Sequence, residues 1–341
     1  MVKNIFRAFI LLLLATIALV IITPVLSFKE LLYPVRIDSV YLGQQQVMYE
    51  NQLLQGEADS MKVFIYSPEQ LNIPYMDISY TLRDSVKLRG WMALDTLHMQ
   101  SPLLLIIPDI SEGVISYIPA MKQFCDRGFN VCVINLRGQG NSEGIFYTPG
   151  ATSARDVKQL ILDLKKMPFI GNVALMGTGT GAGVVMKLLS DTALAEVVIL
   201  QNPLVNLSRY FRDKAVNRWG NFILPILPAL IRAYEDQTGL SVSAYNYVNM
   251  INKINIPHMM VAANFHDKKI IDETIELYNT SMHSKKRLFI DAASFRKTTD
   301  IENNKMYYDK IAAFINSSMP AKTKKTRFRK LAQSAQIRLI R

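Results

Sequence analysis

The residues from Val173 to Ala182 read Val-Ala-Leu-Met-Gly-Thr-Gly-Thr-Gly-Ala, an apolar stretch that runs into closely spaced glycines. This pattern predicts a buried strand, a tight turn and then a helix over 180–190. In a G-x-S-x-G turn of this kind, a serine sits on strained backbone above a sheet, where its hydroxyl acts as a nucleophile. Here Gly179 takes the serine position. The sequence therefore predicts the backbone of a nucleophilic site without the attacking atom.

Other groups that could do chemistry lie close to the ends of predicted strands. They are the hydroxyls of Thr178, Thr180, Ser111 and Ser294, and His266 with Asp267 beside it. His266 is one of only four histidines, and the others lie at a strand start or in peripheral segments. A relocated mechanism, in which a hydroxyl attacks and His266 acts as its base, therefore stays open as an alternative.

Predicted strands alternate with predicted helices from residue 73 onward. The predicted strands cover 78–81, 86–94, 102–107, 130–134, 173–176, 196–200, 258–263 and 287–291; the predicted helices cover 115–126, 153–166, 180–190, a segment from about 272, and 304–316. Continuous apolar runs such as 102–107 are typical of strands buried on both faces. The alternation predicts an α/β fold with a mostly parallel, doubly wound sheet. Thr152 or Ser153 is a plausible N-cap of the second helix.

A long segment over 206–245 interrupts this alternation. It contains the apolar stretch 222–231, in which Pro225 and Pro228 make one continuous helix unlikely to form. We expect this insertion to cap a pocket at the sheet edge. Packing onto the core and contact with a membrane remain alternatives.

Residues Ala8 to Phe28 form a span of 21 residues without a charge, preceded by Lys3 and Arg7. This length is sufficient for a transmembrane helix, with a cleaved signal peptide as the alternative. The sequence thus predicts an anchor over 1–28, a stalk over 29–70, an α/β domain over 71–319 and a tail over 320–341. The two cations before the span favour a cytoplasmic N-terminus and an extracytoplasmic domain.

The net charge of +11 is concentrated at the C-terminus. The tail carries eight basic residues and no acidic ones, so the rest of the chain is only +3. Its apolar residues recur at helical spacing, which is typical of a basic amphipathic helix on an anionic membrane, although a solvated tail is equally compatible. We expect membrane lipids as partners and no nucleic acid. The sequence contains no P-loop lysine and no cluster with metal-ligand spacing, so we expect neither a cofactor nor a metal.

Several further motifs carry a family resemblance. They are Pro74–Thr81 with Val86–Trp91, the turn Leu136-Arg-Gly-Gln-Gly-Asn-Ser-Glu-Gly144, the segment Gln201-Asn-Pro203, and Lys253–Pro257 before an apolar strand. Over about 68–318 the chain resembles the α/β-hydrolase superfamily, and within it the serine aminopeptidase-like, membrane-anchored hydrolases similar to Bem46 proteins. The resemblance implies an α/β-hydrolase fold with a short cap insertion.

The resemblance also implies where a Ser-Asp-His triad would lie. The nucleophile position falls on Gly179, the acid position on His266, the histidine position on Phe295, and the oxyanion loop on Pro108 and Asp109. None of these residues matches its role, which predicts a pseudohydrolase that binds an acyl group, a peptide or a protein partner. The alternative is an active hydrolase on an ester, thioester or peptide that uses a relocated nucleophile.

The predicted ligand pocket follows from the same positions. It comprises Asp109, Ile110, Thr178, Gly179, Thr180 and Phe295.

Overall fold

The computed structural model describes residues 65–95, 101–263, 267–291 and 305–320, together with the single residues Arg7, Ile10, Gly43 and Val47. Among these residues, no helix is both long enough and apolar enough to cross a membrane. The predicted span over 8–28 lies outside the described residues apart from Ile10, as does the basic tail after residue 320.

Eight strands form a single sheet in the order β1-β2-β4-β3-β5-β6-β7-β8. The strands are β1 Tyr75–Thr81, β2 Lys87–Ala93, β3 Leu103–Ile107, β4 Asn130–Ile134, β5 Val173–Thr178, β6 Val197–Gln201, β7 His258–Ala262 and β8 Lys286–Ile290. β2 is antiparallel to both of its neighbours, and all other pairs are parallel. After β3 the chain adds β4 on one side and β5 to β8 in order on the other, which confirms the predicted mostly parallel, doubly wound sheet.

Within the described residues, seven helices lie in the connections between these strands and an eighth follows β8. They are α1 Ile118–Cys125, α2 Ala151–Leu164, α3 Thr180–Asp191, α4 Leu207–Trp219, α5 Leu227–Thr238, α6 Tyr247–Ile251, α7 Lys268–Thr280 and α8 Lys305–Ser318. α1 and α8 share an apolar cluster with one face of the central strands, where the Phe124 and Tyr308 rings meet edge to face. α2 packs against α3, and α3 packs against α6.

The central strands are apolar because both of their faces are covered. Every residue of β3, β4, β5, β6 and β7 is buried. Burial of such side chains contributes on the order of 1.5–3 kcal/mol each. This rigid sheet fixes the positions of the loops that leave its carboxyl edge, and the candidate site is built from those loops.

Residues Asn206–Tyr245 belong to a different compact unit from the one that contains the eight strands. The Asn206 side chain caps α4 by accepting from the Arg209 N–H at 2.6 Å. Pro228 lies in the first turn of α5, so the apolar stretch contains a helix start rather than one continuous helix, as its prolines predict. The Tyr234 ring of α5 packs on the Phe211 ring of α4, with 5.1 Å between centroids.

Three helix starts differ from the sequence prediction, and α1 begins at Ile118, after a 3-10 turn over Val114–Tyr117, rather than at 115. α2 begins at Ala151 with Gly150 as its N-cap, so the prediction of Thr152 or Ser153 was wrong. Glycine is itself a favourable N-cap residue, and it leaves Ser153 buried inside the helix. α7 begins at Lys268 rather than near 272, because Asp267 caps it by accepting from the N–H groups of the next turn.

Candidate functional site

The turn between β5 and α3 is the centre of the site. β5 ends at Thr178, α3 begins at Thr180, and Gly179 between them has φ +52° and ψ −118°. Side chains rarely adopt this backbone conformation, and it costs a residue other than glycine roughly 1–3 kcal/mol. The Gly179 N–H is fixed by the carbonyl of Gln201 on the neighbouring strand, at 2.9 Å. The predicted strained turn is therefore present, and glycine occupies its tip.

The side chain of Asp109 fills the space above this glycine. Asp109 lies in the loop that follows β3, and β3 is the strand next to β5. A Cβ atom added to Gly179 would lie 2.7 Å from the Asp109 carboxyl carbon and 3.1 Å from its Cβ. The first distance is too short for any real contact between carbon atoms. A serine at position 179 would therefore require the Asp109 side chain to move.

Four hydrogen bonds hold the Asp109 carboxylate in place. Oδ2 accepts from the Thr180 N–H at 2.7 Å and from the Thr180 hydroxyl at 3.1 Å. Oδ1 accepts from the Ser111 N–H at 2.9 Å and from the Ser111 hydroxyl at 2.6 Å. Hydrogen bonds to a charged group are stronger than those between neutral groups. The carboxylate is thus anchored to the start of α3, where the helix dipole also favours a negative charge.

These contacts engage both backbone groups that would stabilise an oxyanion. In a turn of this type the donors are the N–H of the residue after the nucleophile and an N–H from the loop after β3. The first is that of Thr180, which donates to Asp109. The second corresponds to Ile110, whose N–H donates to the Thr180 hydroxyl oxygen at 2.8 Å. Both N–H groups therefore have acceptors within the protein, the Asp109 carboxylate and the Thr180 hydroxyl.

Gln139 supports the loop that carries Asp109. Its side chain is fully buried, and its amide nitrogen donates to the carbonyls of Asp109 and Glu112. Its amide oxygen accepts from the Leu136 N–H at 3.1 Å, so the side chain also closes its own turn. The sequence identified this turn as a motif but gave no role to Gln139. Its partners lie about 30 residues away, and no local pattern in the sequence indicates them.

A second carboxyl group lies on the same loop. The Tyr117 hydroxyl hydrogen-bonds both to Glu112 and to the Thr178 hydroxyl. Burial, together with the negative charge of Asp109, raises the pKa of Glu112 to about 7, against the opposing effect of the Tyr117 hydrogen bond. Burial also raises the pKa of Tyr117 well above its usual value. Glu112 and Tyr117 were not identified from the sequence.

The hydroxyls proposed as replacement nucleophiles have partners inside the protein. Thr178 is buried against Tyr117, and Thr180 is fully buried with its oxygen accepting from Ile110 and Tyr147. The Asp267 carboxylate caps α7. Of the three proposed hydroxyls that lie in the described residues, Ser111 is the exposed one.

The structure brings together five of the six predicted pocket residues: Asp109, Ile110, Thr178, Gly179 and Thr180. His266, Ser294 and Phe295 lie outside the described residues, so the predicted acid and histidine positions remain predictions. Among the described residues, no three His, Cys, Asp or Glu side chains are grouped so that they could hold a metal ion.

His258 has a structural environment. Its ring Nδ1 lies 3.0 Å from the Ile256 carbonyl, and its Nε2 lies 2.7 Å from the Ser281 hydroxyl. A carbonyl only accepts, so Nδ1 carries the proton and Nε2 accepts from Ser281. Burial lowers the pKa of His258, which keeps the ring neutral.

Comparison with known proteins gives the same fold. The family model described as serine aminopeptidase, S33, matches residues 101–264. The esterase Pf2001 of Pyrococcus furiosus is 19% identical with a TM-score of 0.57, over 75% of this chain and 96% of that chain. The α/β hydrolase GrgF of Penicillium sp. sh18 is 17% identical with a TM-score of 0.55, over 72% and 99%.

A third structure, the acetyl xylan esterase of Paenibacillus sp. R4, is 15% identical with a TM-score of 0.55, over 80% of this chain and 94% of that chain. At these identities the likeness concerns the fold alone. A search of curated protein sequences finds no significant match. The strand order, the turn at Gly179 and the solved structures together show that the protein has the α/β-hydrolase fold, and residues 101–264 are similar to the serine aminopeptidase, S33, family.

Proposed function

We propose that this chain is a pseudohydrolase, which keeps the hydrolase fold but acts by binding a ligand or a partner rather than by turning over a substrate. The observation that carries the proposal is the Asp109 carboxylate, which occupies the space above Gly179 and is bonded to Thr180. The Asp109 side chain thus fills the position of the nucleophile and accepts the Thr180 N–H, while the Ile110 N–H donates to the Thr180 hydroxyl.

The electrostatics of this arrangement oppose acyl transfer. In active enzymes of this type, removing a single oxyanion donor costs roughly 100- to 1,000-fold in rate. Here both donors are engaged, and the group that lies beside them carries the same sign of charge as the intermediate. Ionisation of Glu112 adds a second negative charge to the same loop.

The proposal extends to location and ligand as the sequence predicts them. The span over 8–28 would anchor the chain in a membrane, with the domain on the extracytoplasmic side and the basic tail over 320–341 as a second contact with lipid. The ligand would be an acyl group, a peptide or a protein partner bound at the carboxyl edge of the sheet.

Hydrolysis of short- and long-chain p-nitrophenyl esters by the full chain in detergent tests the proposal. We expect no turnover above buffer and no labelling by a fluorophosphonate probe. A restored variant with Gly179→Ser, Asp109→Gly, His266→Asp and Phe295→His is expected to gain both. The matched control keeps Asp109 in this variant and is expected to stay silent. Turnover by the native chain would contradict the proposal.

A relocated nucleophile is the second candidate function, and one contact favours it. The exposed Ser111 hydroxyl donates to the Asp109 carboxylate at 2.6 Å, so an acceptor for its proton lies beside it. If this serine attacks an ester, native turnover will be present and the Ser111→Ala variant will lack it. Ester hydrolysis that instead requires Thr178 or Thr180 would assign the attack to those hydroxyls.

A further inference from the structure

A surface cavity of about 510 Å³ lies apart from the turn at Gly179. Its walls are the turn between β1 and β2, Arg137 from the turn after β4, and one face of α2. Cavities that bind small molecules typically have volumes of roughly 300–1,000 Å³. None of the residues that hold the Asp109 carboxylate lines this cavity.

Arg137 forms ion pairs with both acidic side chains that line the cavity. Its guanidinium donates to both carboxylate oxygens of Asp156, which is almost fully buried, and lies 2.7 Å from the Asp84 carboxylate. Both carboxylates therefore contact the Arg137 guanidinium, and the charge of Arg155 also acts on Asp156 without an ion pair between them.

Three further cations line the cavity without such partners. They are Arg83 in the hairpin turn and Arg155 and Lys158 on α2. Within the described part of the chain, none of the three makes an ion pair or a side-chain hydrogen bond. The lining thus carries four cationic and two acidic side chains, an excess of two positive charges. Cations gathered in a concave surface repel one another and attract an anion.

The cavity also has an apolar part. Leu82 is buried beneath it, and Leu162 at its edge is 41% exposed. The hairpin turn is tied to α2 because the Arg83 N–H donates to the Gln159 side chain at 3.2 Å. The two walls that carry the cations are therefore held together before any ligand binds, which lowers the entropic cost of binding.

We propose that this cavity binds a phosphate monoester, with its phosphate between Arg83, Arg155 and Lys158 and its organic part against Leu82 and Leu162. A phosphate monoester above pH 6 carries about two negative charges, which match the two excess positive charges of the cavity lining. Guanidinium groups bind phosphate through paired hydrogen bonds, and the apolar side chains give a reason for an organic substituent. A soluble organic phosphate and the headgroup of phosphatidic acid share this chemistry.

Isothermal titration calorimetry on the full chain in non-ionic detergent tests the site. The probes are phenyl phosphate, which is soluble, and dihexanoyl phosphatidic acid, which carries short acyl chains. The variants are the double substitution Arg155→Gln with Lys158→Gln, and the control Lys187→Gln on α3, which removes a lysine charge outside the cavity. Circular dichroism melts verify that each variant folds.

We expect phenyl phosphate to bind the native chain, with affinity weakened about tenfold or more in the double variant and changed less than about twofold in the control. Tighter binding of the phosphatidic acid with the same dependence on Arg155 and Lys158 would identify a lipid headgroup as the ligand. No binding of either probe, or equal binding by the native chain and the double variant, would overturn the proposal. The readout does not depend on ester hydrolysis, so it can fail or succeed independently of the pseudohydrolase proposal.

Discussion

The carboxyl carbon of Asp109 lies 2.7 Å from the point where a side chain at Gly179 would begin. The two residues are 70 positions apart in the sequence, and adjacent parallel strands bring them together. Each accommodates the other: the glycine leaves room for the carboxylate, and the carboxylate accepts the Thr180 N–H, which is one of the two donors that would stabilise an oxyanion.

Substitution of the glycine tests this interdependence. Gly179→Ser is expected to lower the free energy of unfolding by about 2–4 kcal/mol, because the strained backbone and the clash with Asp109 add. In an Asp109→Gly background the same substitution is expected to cost about 1–3 kcal/mol, the backbone contribution alone. Chemical denaturation of the four proteins of this double-mutant cycle measures the coupling. Strictly additive effects would show that the two side chains do not compete for space.

The support from Gln139 can be measured separately. Gln139→Leu removes both donors to the carbonyls of Asp109 and Glu112, and buried acceptors without partners cost about 1–3 kcal/mol each. We expect a loss of stability in urea denaturation and faster amide exchange in residues 109–113. Gln159→Leu, which removes an acceptor of a more exposed N–H, serves as the control and is expected to leave that exchange unchanged.

The pKa of Glu112 predicts a dependence of stability on pH. Because its folded pKa of about 7 lies above the unfolded value of 4.5, the folded chain binds more protons between these values. Stability is therefore expected to fall as the pH rises from 5 to 8, by on the order of 2 kcal/mol for this group.

Glu112→Gln removes that contribution, so the difference in stability between native chain and variant should change across this pH window. The buried His258 acts in the opposite direction, since its lowered pKa costs stability as the pH falls below 6.5. It is present in both proteins, and its contribution cancels in the difference. Parallel stability curves for the two proteins would contradict the assignment to Glu112.

Arg137 is expected to matter for stability as well as for the cavity that it lines. Arg137→Met leaves the buried Asp156 without its cation, which typically costs about 3–5 kcal/mol. Adding Asp156→Asn is expected to recover part of this loss, because an amide does not carry an uncompensated charge. Arg212→Met, which breaks an exposed ion pair, is the control and is expected to change stability by less than about 1 kcal/mol. Equal effects of the two single substitutions on urea denaturation would refute the expectation.

The strands were predictable because their signal is local. Runs such as 102–107 and 131–134 are apolar without interruption, and burial on both faces is the physical reason. The start of α2 was not predictable in the same way, because its N-cap is Gly150, which has no side chain to make a capping hydrogen bond. Asp267 was considered for chemistry, whereas its carboxylate satisfies the first N–H groups of α7.

The site itself was only partly predictable. The glycine at position 179 follows from a local motif, and so does the absence of a hydroxyl there. The inward direction of Asp109 depends on Thr180, which lies 71 residues away, and on the buried amide of Gln139. Those contacts exist only once β3, β4 and β5 are adjacent, so no pattern along the chain contains them.

The pairing of Gly179 with Asp109 also has an evolutionary consequence. A change of Gly179 alone to serine would place the new side chain against the Asp109 carboxylate. The resulting protein would be less stable and would still have no free oxyanion hole. A change of Asp109 alone would discard four hydrogen bonds and supply no nucleophile. Each single step is thus disadvantageous, and an epistatic barrier separates the chain from one that carries a serine at position 179.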